Sequence, residues 1–151
     1  MSLLIALAIT TLSMAQSTFP TKALTLSGSG SIGKNSTSYV AGSVGSINHV
    51  TGVLYVQPRL SFLFADGVSS GWVGLAPTVP VKSWKNGSVY AATEVSVAFV
   101  KNVDPYVQVS PEVGAIFNVS KNAFLLTRLN YNLRDNTNRN LDASIGVGFR
   151  L

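Results

Sequence analysis

The feature that most limits the folds open to this chain is a two-residue alternation that recurs along it, broken by short turn-forming clusters. It is plainest in the last eleven residues, "LDASIGVGFRL". Leu141, Ala143, Ile145, Val147, Phe149 and Leu151 share one phase; Asp142, Ser144, Gly146, Gly148 and Arg150 share the other. A strand sends successive side chains to opposite faces, so this stretch describes a strand with one apolar and one small-or-polar face. What the apolar face touches decides the class of protein.

Seven earlier segments, 22–33, 37–47, 53–64, 72–81, 88–100, 106–118 and 123–133, read as strands separated by "KNS", "NHVTG", "ADGVSSG", "KSWKNG", "KNVD", "VSKN" and "RDNTNRN". Asn86-Gly87 is a strong hairpin signal. Only the segment 37–47 leaves its phase open, because Val40 and Val44 oppose Ala41 and Ile47. Eight strands joined by short connections predict an all-β, antiparallel up-and-down meander, and closing it into an eight-stranded barrel removes its two exposed edges. Pro58, Pro77, Pro80 and Pro111 fall inside expected strands, where each removes a ladder donor and implies a bulge or a local break.

Charge decides which way the barrel faces. Only 11% of residues are charged, against about 25% in an average soluble domain. Of seventeen charged residues, eleven fall in turns or at strand ends: Lys22, Lys34, Asp66, Lys82, Lys85, Lys101, Asp104, Lys121, Arg134, Asp135 and Arg139. The other six, Arg59, Glu94, Glu112, Arg128, Asp142 and Arg150, all lie on the polar phase. A solvated barrel exterior needs many more charges, whereas a narrow lumen needs few and needs them balanced. The pattern therefore predicts a transmembrane β-barrel with its apolar phase toward lipid. Leu54, Leu60, Phe62, Val95, Val97, Val109, Val113, Leu129, Ile145 and Val147 are expected on that lipid-facing surface. Phe62, Phe64, Phe99 and Tyr131 near one rim, with Phe117 and Phe149 near the other, read as interfacial girdles. A soluble, lipocalin-like secreted binder is the alternative, and it would turn Leu129 and Val147 toward a ligand cavity.

Counting along the strands places Arg59, Glu94, Glu112 and Arg128 near mid-height on the inner phase. Two cations and two anions at one level predict a neutral, hydrogen-bonded plug, with Tyr55, Gln57, Tyr90 and Gln108 satisfying the remaining donors and acceptors. The same four charges would serve as a selectivity filter if the lumen were a narrow channel for ions or small solutes. Glycosidase-type acid–base work by the carboxylates is disfavoured by the arginines beside them.

Composition excludes other classes. Cys is absent and His49 is the one histidine, so thiolate or histidine metal sites, cofactors and a catalytic triad are not expected. The net charge of +5 comes from scattered residues, so no nucleic-acid partner is expected, and basic loops beside anionic lipid headgroups account for the charge. Residues 1–15, "MSLLIALAITTLSMA", end in the small-residue pattern of a secretory signal peptide, although no Lys or Arg precedes the apolar run. They are shorter than the roughly 20 residues of a transmembrane helix; a buried N-terminal helix is the other reading. Residues 16–151 then form one barrel domain.

With that pattern the chain resembles the small eight-stranded outer-membrane proteins of Gram-negative bacteria, the OmpX and OmpA-barrel type. The more specific motif is their C-terminal assembly signal, matched here by Ser144, Gly146, Phe149 and Leu151, with Leu151 where Phe is usual. The resemblance implies a monomer in the bacterial outer membrane, inserted by the outer-membrane assembly machinery and contacting outer-membrane lipid and lipopolysaccharide. Such proteins anchor the envelope, bind host or phage surfaces or, in a few cases, catalyse. Short loops point away from an elaborate adhesin, and a lone histidine in a turn points away from a lipid-modifying enzyme. The expected function is a non-catalytic barrel with a side-chain-filled lumen and a structural or surface-interaction role.

Overall fold

A computed structural model describes residues 18–32, 40–65, 68–134 and 138–151. The expected leader lies outside these residues, as do the connections at 33–39, 66–67 and 135–137. Eight antiparallel strands pair in chain order: β1 (Lys22–Ile32), β2 (Val40–Thr51), β3 (Leu54–Ala65), β4 (Val68–Trp84), β5 (Gly87–Val100), β6 (Val103–Asn118), β7 (Ala123–Arg134) and β8 (Asn138–Arg150). Pairing of β1 with β8, from Ala23↔Arg150 to Ile32↔Leu141, closes the sheet into a barrel. The strands run from 11 to 17 residues, and about 9–11 suffice to cross a tilted path through a bilayer core.

Several strands extend further than the alternation alone indicates. Ladder pairing holds a residue extended whatever its polarity, so Lys82 and Asp104, expected in turns, belong to the ends of β4 and β6. Strand β2 continues through His49 to Thr51, which pairs with Leu54 across a turn at Gly52 (φ 51°). His49 is therefore a strand residue, its Nε2 lying 2.9 Å from the Gly52 carbonyl oxygen. The β4–β5 turn is Lys85–Asn86, and Gly87 already pairs with Trp84. In β2, Ala41 and Ile47 face inward and are buried, while Val40 and Val44 are exposed. That settles the phase the sequence left open.

The prolines act in two ways. At Pro80 the β4–β5 register shifts before Lys82, a bulge that moves the inward phase from Pro80 to Ser83. At Pro58, Pro77 and Pro111 the ladder skips a step without changing register: Gly45↔Arg59 is followed by Asn48↔Val56, Leu75↔Val95 by Thr78↔Ala92, and Val109↔Leu133 by Glu112↔Asn130. Each gap stands on the side where the missing N–H would have donated.

The outer surface is a continuous apolar belt. Leu60, Phe62, Val95, Val97, Val109, Val113, Leu129, Ile145 and Val147 are all exposed on it, and Leu54 is half-buried on the same face. Phe62, Phe99 and Tyr131 ring one end and Phe117 and Phe149 the other, all exposed; the side chain of Phe64 is outside the described set. In water such a belt would be an aggregation surface, whereas hydrocarbon matches it without cost. Leu129 and Val147 point outward, opposite to what a soluble binder with an internal cavity requires.

Candidate functional site: the barrel lumen

The inward phase carries two layers of different chemistry. The end where β1 begins and β8 stops is apolar. Phe19, Ala23, Ile47, Tyr55, Tyr90, Ile116, Phe124 and Leu126 pack there, each almost completely buried. Phe19, just before β1, meets Tyr55 and Tyr90 edge-on, with ring centroids 4.7 and 5.6 Å away. Its neighbour Thr18 crosses the mouth to β5, where its Oγ1 donates to the Gly87 carbonyl at 3.1 Å and lies 2.7 Å from Ser88 Oγ. Phe124 and Leu126 share the phase of Arg128, so parity turns them inward, but their apolar side chains build an apolar layer where that phase is otherwise polar. Phe19 lies outside every alternating segment, and no local signal marks it.

Above this layer sits the polar cluster, centred on Arg59. Its Nη1 donates to Glu94 Oε2 at 2.8 Å and to Glu112 Oε2; its Nη2 donates to Glu112 Oε1 and to Gln57 Oε1, both at 2.8 Å. These bonds reach from β3 across β4 to β5 and β6. Gly74, the β4 residue paired with Arg59, makes the crossing possible: a Cβ there would lie 2.9 Å from Glu94 Oε1 and Ser96 Cβ. Tyr90 joins the layers, its ring in the apolar packing and its hydroxyl donating to Glu112 Oε1 at 2.9 Å. The ring lies over Gly114, its cross-strand partner, where a Cβ would come within 2.3 Å of Cζ. Gln57 Nε2 donates to Thr78 Oγ1 at 2.9 Å, and Thr78 Oγ1 donates in turn to the Ala76 carbonyl.

Three of the four charges expected together are directly joined, and Arg128 is not one of them. Arg128 is buried but faces hydroxyls: Nε donates to Ser144 Oγ at 3.0 Å, and Nη2 to Ser27 Oγ and, at 3.4 Å, to Ser43 Oγ. The reason is register. Arg128 pairs with Gly114 on one side and Ser144 on the other, which turns it toward the serine-lined wall of β8, β1 and β2. Of the four expected supports, Gln57 and Tyr90 contact the cluster. Tyr55 belongs to the apolar layer, beside Phe19 and 4.9 Å from the His49 ring centroid. Gln108 serves a third group nearer the other mouth, donating to Asn132 Oδ1 at 2.7 Å and Ser110 Oγ at 3.1 Å. Asn132 in turn donates to Asp142.

The C-terminal motif is split between faces. Ser144 and Gly146 are inward, Ser144 on Arg128 and Gly146 paired with both Ser27 and Leu126. Phe149 and Leu151 are exposed on the outside. Among the described residues no group of three or more His, Cys, Asp or Glu side chains gathers as metal ligands would.

An apolar belt around a closed eight-stranded sheet, with buried charge inside, defines a transmembrane β-barrel. No protein-family model matches the chain, and no curated protein matches it significantly in sequence. Solved structures do match its fold. A de novo designed transmembrane β-barrel superposes with a TM-score of 0.65 at 15% identity, over 88% of this chain and 98% of its own. The N-terminal β-barrel domain of Pseudomonas aeruginosa OprF gives 0.63 at 14% identity, over 84% of this chain and 96% of that one. Neisserial surface protein A gives 0.63 at 12% identity, over 86% and 96%. The chain thus shares the fold of small bacterial outer-membrane barrels.

Proposed function

We propose that this protein is a monomeric, integral barrel of the bacterial outer membrane whose lumen is packed with side chains and does not conduct, and that its role is structural or surface-interacting rather than catalytic. The observation that carries the reading is the stacking of two unlike layers across the barrel. Arg59 ties β3 to β5 and β6 through Glu94 and Glu112, and the apolar layer around Phe19 lies directly beneath. An ion crossing the barrel would have to break a buried ion pair and then enter an apolar layer, both costly. In this reading Ser144, Gly146, Phe149 and Leu151 address the chain to the outer-membrane assembly machinery.

Three measurements test it. The protein is expected in the outer-membrane fraction, with a gel mobility that changes on heating. Purified protein in planar bilayers is expected to give no conductance steps. A freely soluble mature protein would refute the membrane assignment. Conductance that changes when Glu94→Gln or Arg128→Gln is introduced would refute the packed lumen and assign a narrow channel instead.

A further inference from the structure

Side-chain charge is unevenly distributed along the barrel axis. The rim at which β1 begins and β8 ends carries Lys22, Lys82, Lys85 in the β4–β5 turn, Lys121 in the β6–β7 turn, and Arg150. The described acidic residues lie elsewhere: Glu94, Glu112 and Asp142 are buried inside, and Asp104 opens β6 at the opposite rim. Among the described residues, this rim therefore carries cations and no acid.

The four lysines are exposed. Arg150 is engaged locally, donating to the carbonyls of Thr18 at 3.3 Å and Lys121 at 3.2 Å and to Asn118 Oδ1. Beside Lys82 and Lys85, Trp84 is 38% exposed on the outside, its ring 5.9 Å from that of Phe117. Trp in a barrel wall favours the boundary between hydrocarbon and headgroups. Lys82 and Lys85 therefore stand at headgroup level, while Lys22 at the start of β1 and Lys121 between β6 and β7 occupy other sectors of the rim.

We propose that this rim is a collar for anionic phospholipid headgroups, with Lys82 and Lys85 holding a lipid phosphate beside Trp84. Charge complementarity names the lipid class, and the spacing of the lysines around the rim fits surrounding lipids better than a single soluble polyanion. More residues separate Ile32 from Val40, strand ends at the opposite rim, than separate any other consecutive strands, and long loops mark the outer face of such barrels. The collar thus faces the phospholipid leaflet rather than the lipopolysaccharide one. This inference rests on the membrane-spanning reading.

The test uses Trp72→Phe protein, in which Trp84 is the remaining tryptophan of two, folded into phosphatidylcholine vesicles and verified by its heat-modifiable mobility. Vesicles contain either brominated phosphatidylglycerol or brominated phosphatidylcholine as quencher. At low salt, Trp84 should be quenched several-fold more effectively by the anionic lipid. Lys82→Gln and Lys85→Gln should each lower that relative affinity up to about five-fold, the conversion of about 1 kcal/mol per cation near an anionic surface. Equal quenching by the two lipids, or a preference that survives both substitutions, would overturn the collar. Displacement of the brominated phosphatidylglycerol by lipopolysaccharide would overturn the choice of leaflet. Quenching by neither lipid would overturn the membrane-spanning reading itself.

Discussion

Replacing Arg59 by Met tests the polar layer most directly. Met preserves much of the stem but removes the guanidinium that binds Glu94, both carboxylate oxygens of Glu112, and Gln57. Side-chain exposure is 3% for Arg59, 7% for Glu94 and 0% for Glu112, so bulk water is poorly placed to replace the lost cation. Removing one partner of a buried ion pair costs about 3–5 kcal/mol, against about 0–1 for an exposed pair. With a urea dependence of about 2 kcal/mol per molar, the unfolding midpoint should fall by roughly 2 M. The assay is equilibrium urea unfolding in lipid vesicles, read by tryptophan fluorescence and by the fraction retaining heat-modifiable mobility. Adding Glu94→Gln and Glu112→Gln to Arg59→Met should recover at least half of the loss, because amides require no counter-charge and the Tyr90 hydroxyl keeps an acceptor. A loss below about 1 kcal/mol for Arg59→Met would refute the reasoning, since that is the scale of a hydrated pair. Failure of the triple variant to recover would show that shape rather than charge sets the cost.

Three other substitutions probe separate parts of the barrel. Gly114→Ala drives a Cβ into the Tyr90 ring and should cost about 1–3 kcal/mol by overpacking; Tyr90→Ala in the same chain should relieve the clash, as urea midpoints of the single and double variants will show. Leu129→Arg places a charge on the exposed apolar belt and should cost about 2–4 kcal/mol if the site is near the bilayer midplane. Its vesicle unfolding curve is the check, and an unchanged curve would mean that Leu129 does not face lipid. Phe19→Ala removes the ring packed on Tyr55 and Tyr90; a loss near the lower end of about 3–5 kcal/mol is expected, with faster labelling of an Ala23→Cys thiol by a water-soluble maleimide.

The class of protein was legible in the sequence because it depends on a local property. A period of two, with nearly every strand charge on one phase, assigns each side chain to a face without reference to its neighbours. Exposed Val95, Val113, Leu129 and Ile145 and buried Arg59, Glu94 and Glu112 followed from parity alone. Where parity was silent, so was the sequence: at Ile47, among alternating glycines and serines.

What inward residues touch is not a local property. Contacts across the lumen depend on how far each strand is staggered against the next, and closing β8 onto β1 fixes the sum of those steps. That closure brings Arg59 to Glu112, 53 residues away in sequence. It leaves Arg128 on Ser27, Ser43 and Ser144, though its depth in the sequence matched that of the carboxylates. It also opens at one end a mouth that Thr18 crosses to reach Ser88, with Phe19 seated beneath. The sequence determined which face each residue occupies, because parity is carried by the chain itself; only the closed barrel decided the partners, because stagger and closure belong to all eight strands together.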